Sequence, residues 1–276
     1  MNHPNTKDLK LLGKGEAYTV YELNFETILR IRYTGEKYQN YGSEQKLLSC
    51  LHNQAKIFPQ LLEYNEDGDW GIYTRIHGAS ASSYISHASI EEMQDLTKEI
   101  CDTLQVLHSI APETLLGLGY TDLRSTSSGN LDWLRGDIKN KLSGFPENVV
   151  KNILQYINEL ETYNYPHPTM THGDISLENI IVDPNNGRLA GIIDFSDARV
   201  ADPALDFDNL GRLSEYAWAY LGEHIDVYSD IVSLKKRAEF YSKRRYLFSY
   251  LYNFKHRSED DILWVFGASF ELEPLL

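Results

Sequence analysis

The sequence predicts an α+β chain, with strands gathered near the N-terminus and helices filling most of the remainder. Three observations carry this prediction. Short alternating apolar runs, broken by Gly and Asn, occupy residues 9–33 and 61–76, the period-2 pattern of half-buried strands. From Ser89 onward apolar residues recur mainly at helical spacing. Between the helical segments lies Thr171–Asp208, 38 residues holding eight Asp/Glu against two Arg. An ordinary core does not tolerate that many carboxylates unless cations, hydrogen bonds or metals compensate them.

The first strands read LLGKGEAYTVYEL and ETILRIRY, with a turn signal at Asn24. Gly13 and Gly15 flank Lys14 in a turn whose backbone N–H groups can fold over phosphates. No Gly-Lys-Ser/Thr ends it, so it is not a Walker A loop, and an ordinary hairpin turn fits the same residues. Arg30 lies among Ile28, Leu29 and Ile31, where an unpartnered cation is costly. Glu44, opening the amphipathic segment SEQKLLSCLHN, is the natural partner. A guanidinium held this way presents a fixed fork suited to phosphate oxygens. The bland alternative is a solvated strand-end arginine beside Arg32. Two further strands are expected around Leu61–Tyr64 and Trp70–Ile76, joined by the turn Asn65-Glu66-Asp67-Gly68.

Ser89 with Glu92 is a capping-box signature. It opens a helix whose apolar stripe (Met93, Leu96, Ile100, Leu104, Leu107) runs to His108, read as a packed helix-end residue. Residues 111–130 read as loop. Helices are expected near Leu131–Ser143 and Glu147–Tyr163, the second started by Pro146, and then over Leu210–Leu221, Asp226–Arg237 and Phe240–Phe254. Lys235-Lys236-Arg237 reads as a solvated helix face. Cys50 and Cys101 fall in helical contexts without metal spacing and read as buried free thiols.

Net charge is −14 with His neutral, which argues against nucleic acid or an anionic membrane as partner and favours a small cationic substrate. The N-terminus has no apolar run of signal-peptide length, and no run approaches a membrane span. The expectation is a cytoplasmic monomer.

The acidic stretch carries the chemistry. Asp174 follows His172-Gly173, Asn179 comes five residues later, and the apolar run Leu189–Ile193 delivers Asp194. Phosphoryl transfer needs a carboxylate to orient the attacking hydroxyl and take its proton. It also needs oxygen ligands that hold Mg²⁺ on the phosphates. Asp174, Asn179 and Asp194 supply those parts, although Asp-rich turns between strands would share the composition.

HGD-x4-N followed by GIIDFSDA and DPALDF resembles the aminoglycoside phosphotransferases, nearest the 2''-phosphotransferase branch. The resemblance is specific over 171–208, ordered but weaker over 11–51, and diffuse in the helical tail. It implies a protein-kinase-like two-lobed fold: a small β-rich N-lobe over residues 1–78 and a larger, mostly helical C-lobe over 79–276. It implies ATP or GTP as donor with Mg²⁺. Asp174 matches the catalytic Asp, and Asn179 and Asp194 match the metal ligands. Asp197 matches an acidic residue that contacts substrate amines. Arg30 falls at the phosphate-binding Lys position and Glu44 at its helix partner, while Gly13 and Gly15 would cover the phosphates. Arg75, Ile76 and His77 fall at the hinge, where backbone groups hydrogen-bond the purine. His172, Asp202 and Asp206 match structural positions. In the tail, Glu215, Glu239, Trp264 and Glu271 are candidates to line the substrate cleft. Two departures stand out. Ser196 replaces the usual Gly, and Arg30 replaces Lys, where macrolide kinases carry a similar L-R-I run. The implied activity is transfer of a γ-phosphate to an aminoglycoside hydroxyl, inactivating the antibiotic. The alternatives are a kinase of a macrolide, choline or another amino alcohol, and a nucleotide-binding pseudokinase.

Overall fold

The computed structural model describes residues 5–15, 18–33, 41–119, 146–163, 165, 167–224, 228 and 230–253. Strands β1 (Lys10–Lys14), β2 (Tyr18–Glu22), β3 (Thr27–Arg32), β4 (Leu61–Tyr64) and β5 (Trp70–Thr74) form one antiparallel sheet in the order β1-β2-β3-β5-β4. The Asn24 side chain accepts the Glu26 amide at 2.8 Å and so closes the β2–β3 turn, the local capping that makes Asn a turn former. Register sets the faces. Val20 and Gly71 both lie opposite Arg30, and Tyr18 lies opposite Arg32. With side chains alternating along each strand, Tyr18, Arg30, Arg32 and Tyr73 share one face.

Helix α1 (Tyr41–Gln54) buries Leu47, Leu48 and Leu51 and brings Glu44 against Tyr73. Beyond β5 the chain crosses to a second sheet, where β6 (Ala79–Ser80) pairs with β8 (Ile180–Val182) and β8 with β9 (Leu189–Ile192). The short strands β7 (Thr169–Thr171) and β10 (Arg199–Ala201) pair with each other. Around them lie α2 (Ala81–Tyr84), α3 (Ile90–His108), α4 (Pro112–Gly117), α5 (Glu147–Thr162), α6 (Ser214–His224) and α7 (Ile231–Asn253).

The Ser89 capping box forms in full, with Glu92 N–H donating to Ser89 Oγ and Ser89 N–H to Glu92 Oε2. The stripe expected on α3 is buried. One apolar cluster runs from Leu47 under the first sheet, through α3, to Tyr241 on α7. Cys101 is buried within it, which pushes its thiol up to about 12, while Cys50 is partly exposed.

Three expectations are revised. Residues 112–117, read as loop, form a helical turn because Pro112 stands at its first position, where its fixed φ and missing N–H cost nothing. The two helices expected over 226–254 are one, α7, since no Gly or Pro interrupts 231–253. Arg237 is not solvated. It is buried, with Nε donating to Asp202 at 2.7 Å. The helix expected over Leu131–Ser143 lies outside the described residues.

The second sheet meets the turn between α1 and β4 at Gly191 on β9. The Ile192 amide donates to the Ile57 carbonyl at 3.2 Å, and a Cβ on Gly191 would stand 2.3 Å from that same oxygen. A methyl group there forces backbone apart. Gly191→Ala should therefore cost about 1–3 kcal/mol, whereas Gly13→Ala, with nothing within 4 Å of its Cβ, should stay within about 0.5 kcal/mol. Urea midpoints of the two variants check this. Equal losses would disprove the close-packing account.

Candidate active site

The loop His172-Gly173-Asp174 leaves β7 in a conformation only glycine serves well. Gly173 has φ +81°, and a Cβ on it would lie 2.3 Å from the Asp197 carbonyl. A buried carboxylate fixes the loop. Asp206 Oδ2 accepts the His172 amide and Oδ1 the Gly173 amide, both at 2.8 Å. Asp206 comes from the 3-10 turn Pro203–Phe207, and its side chain has no exposure. His108 Nε2 meets Asp206 Oδ2 at 2.9 Å, and the Tyr228 hydroxyl meets His108 Nδ1. A carboxylate only accepts, so Nε2 carries the proton and Tyr228 donates to Nδ1. Burial alone would raise the Asp206 pKa. The hydrogen bond from His108, with the loop amides, holds it below the ordinary value.

The same reasoning assigns His172. Its Nε2 donates to the Ile193 carbonyl at 2.9 Å, leaving Nδ1 to accept the Asp174 amide at 3.3 Å. The loop and the strand that delivers Asp194 are thus tied through one imidazole. They are tied again where the Ile193 amide donates to the Asn179 carbonyl at 2.9 Å. Asn179 Nδ2 donates to the Asp174 carbonyl at 2.9 Å and to Asp174 Oδ2 at 3.2 Å. With its amide nitrogen so used, the Asn179 side-chain oxygen is the atom available to a cation.

Asp194 is the one non-glycine with positive φ among the described residues, at φ 68°. Its Oδ1 takes the Arg30 Nη2 at 2.7 Å and the Ser196 hydroxyl at 2.7 Å. Burial raises its pKa, but the Arg30 charge and the hydrogen bonds from Ser196 and Arg30 together outweigh this and leave it lowered. Ser196, the departure from the family pattern, thus orients the carboxylate. Two hard oxygen donors beside Asp174 fit Mg²⁺, which uses few protein carboxylates and fills its shell with phosphates and water. Among the described residues no group of three His, Cys, Asp or Glu converges on a metal position.

On the sheet side, Arg30 is 7% exposed. The sequence pointed to Glu44 as its partner, but the structure places its direct ion pair with Asp194. Glu44 is buried, accepts the Tyr73 hydroxyl at 3.2 Å, and adds to the negative field around the guanidinium. Burial works to lower the Arg30 pKa, and Asp194 with these neighbours holds it well above the ordinary value. The Tyr18 ring stacks on Arg30, 3.6 Å from Cζ to centroid. Sequence reasoning missed this contact. Alternation along β2 and β3 was the signal that could have found it.

Gly13 lies within β1, one residue before its last, Lys14, and the Gly15 amide donates to the Tyr18 carbonyl at 2.8 Å, closing the turn. Arg75 is held outward by Glu22 at 2.8 Å, and its amide by the Glu26 carbonyl at 2.8 Å. His77 stacks on Phe25 with ring centroids 4.2 Å apart. Among the described residues the backbone groups of Ile76 and His77 are not used in hydrogen bonds.

Asp197 is exposed and faces Arg199 at 3.9 Å. Glu215, at the start of α6, and Glu239, on α7, are exposed. No recorded contact among the described residues brings either to Asp174 or Asp197. Trp264 and Glu271 lie outside the described residues.

A profile of the phosphotransferase enzyme family matches residues 8–228, so the chain belongs to that family. The class expected from the sequence, a phosphotransferase, stands with it. An uncharacterized protein of Bacillus subtilis (strain 168), YcbJ, is 32% identical over 105 residues, covering 32% of this chain and 33% of that protein. The chain thus matches about a third of that relative's length. Among solved structures, the GDP and kanamycin complex of APH(2'')-IIIa superposes with a TM-score of 0.77 at 17% identity, covering 95% of this chain and 93% of the other. A macrolide 2'-phosphotransferase type I superposes with a TM-score of 0.63 at 17% identity, covering 96% and 91%. The fold is therefore that of these kinase-like enzymes.

Asp206 allows a test of how the loop is held. Its lowered pKa stabilises the folded chain above the ordinary aspartate range, and that contribution fades as pH falls through the folded value. Asp206→Asn should cost on the order of 3 kcal/mol at neutral pH. The gap to the parent should narrow below about pH 4 in thermal melts. A gap as wide in acid as at neutrality would mean that charge is not what holds the loop.

Proposed function

We propose that the chain transfers the γ-phosphoryl group of ATP or GTP to a hydroxyl of an aminoglycoside, a reaction that inactivates the antibiotic. The observation that carries this reading is the convergence of three parts. Asp174 is pinned by Asn179, Asp194 is held by Arg30, and the loop bearing Asp174 is fixed from below by Asp206.

In this reading Asp174 accepts a hydrogen bond from the acceptor hydroxyl, aligns its oxygen on the γ-phosphorus, and takes its proton as the new P–O bond forms and the bond from the γ-phosphorus to the bridging β–γ oxygen breaks, releasing ADP or GDP. Arg30 grips the donor phosphates, with Gly13 and Gly15 folded over them and Glu44 backing the guanidinium. Asn179 and Asp194 would hold Mg²⁺, which would neutralise charge on the transferring group. The unused backbone groups of Ile76 and His77, beside Arg75, bind the purine edge. Asp197 takes an acceptor ammonium. Residues 1–78 act as the nucleotide lobe and 79–276 as the lobe holding acceptor and catalytic loop. The enzyme works in the cytoplasm as a monomer, with no nucleic acid or membrane partner. GDP in the kanamycin-bound relative supports a nucleotide donor without choosing between ATP and GTP.

A second reading has a specific observation in its favour. Arg199 faces Asp197, which weakens the pull on a polycation. A kinase of a macrolide, choline or another amino alcohol would use the same Asp174, Asn179 and Asp194. Radiolabelled phosphate transfer over a panel of aminoglycosides, macrolides and amino alcohols decides between them. No transfer to any aminoglycoside would remove the first reading.

Asp174→Ala should lower kcat by about 10²- to 10⁴-fold while leaving nucleotide affinity within about twofold, since the residue faces the acceptor. Steady-state kinetics paired with calorimetric nucleotide binding measure both. A parallel fall in nucleotide affinity would contradict the role given to Asp174.

A further inference from the structure

The Arg30 stack is the one feature around the site to which neither the sequence motifs nor the family pattern gives a purpose. Tyr18 is 8% exposed and sits on β2 two residues before Val20, which lies opposite Arg30. That places it diagonally across from Arg30 on the same face, within reach of an aromatic side chain. The ring meets the guanidinium at 3.6 Å, and Arg32, directly opposite on β3, donates to the phenol oxygen. The Tyr18 carbonyl also accepts the Gly15 amide at 2.8 Å. One residue therefore serves both elements that face the donor phosphates, closing the glycine turn with its backbone and bearing the arginine on its ring.

We propose that Tyr18 is a positioning residue for the nucleotide phosphates, a platform that holds the Arg30 guanidinium flat so that its N–H fork points along the sheet face. The proposal rests on the reading that Arg30 binds the donor phosphates. It gives Arg30 a reason to be arginine. A planar guanidinium lies on an aromatic face while its N–H groups stay free in the plane, whereas an ammonium has no plane to stack. Asp194 restrains only one edge of the fork, through Nη2. The ring restrains the tilt that a single ion pair leaves open, and so lowers the ordering cost when phosphate arrives.

Titration calorimetry of the full chain with MgATP and with MgGTP tests this, with thermal melts to confirm folding. Tyr18→Ala should weaken nucleotide binding about 3- to 30-fold, and Tyr18→Phe should restore it to within about twofold. Tyr18→Leu, which keeps the apolar bulk without the π face, should resemble Tyr18→Ala and serves if the alanine variant does not fold. In an Arg30→Lys background, Tyr18→Leu should add less than about twofold, because the stack is already gone. Arg30→Ala separates the two levels of inference. If it leaves nucleotide binding unchanged, the phosphate role of Arg30 fails. If it weakens binding while Tyr18→Leu does not, the platform alone is wrong. Equal losses in Tyr18→Phe and Tyr18→Leu would transfer the effect to the phenol oxygen and overturn the stacking proposal.

Discussion

Asp206 accepts the amides of His172 and Gly173 from a position sealed from water, and the geometry around Asp174 follows from those two bonds. They hold Gly173 in its left-handed turn against the Asp197 carbonyl, which sends Asp174 forward. They also set the His172 ring where it reaches the Ile193 carbonyl, one residue before Asp194. Buried N–H groups without acceptors cost on the order of 1–3 kcal/mol each, so loop and carboxylate are mutually required. His108 and Tyr228 extend the hold outward, carrying the charge of one aspartate into a chain of oriented dipoles.

The surplus of acids in 171–208 is resolved partly from outside that stretch. Asp194 takes Arg30 from the first sheet, and Asp202 takes Arg237 and Tyr241 from α7. Asp206 takes His108 from α3. Asp183 closes its own hairpin turn through Asn185 and Asn186. Asp197 is left turned to solvent, with Arg199 at 3.9 Å. A local charge count cannot see compensation that arrives from such distances in sequence, and for that reason the stretch looked more unusual than it is.

What could be read directly was local. The Asn24 turn, the Ser89–Glu92 box and the α3 stripe each depend on residues within a turn or two of one another, and each appears where periodicity put it. The order His172-Gly173-Asp174, Asn179, Asp194 was legible because the loop and hairpin keep these residues close along the chain. What escaped was tertiary. The partner of Arg30 is 164 residues away, and nothing near Arg30 encodes it. Tyr18 looked like one more strand aromatic. Arg237, in a basic run, is buried only because α7 continues unbroken past it and lays that position over Asp202.

The same separation has a consequence for the order of assembly. A contact spanning 164 positions closes a very long loop, and loop-closure entropy makes such contacts late ones. Until β9 has docked beneath Ile57, the first sheet holds a guanidinium whose carboxylate does not yet exist in space. During synthesis the N-terminal strands emerge first, yet the ion-pair partner of their most buried cation arrives only after about three-fifths of the chain has followed. In the proposed reading, nucleotide competence is therefore a property of the finished molecule and not of the segment that carries Arg30, and cooperativity between the sheets is built into the charge balance itself.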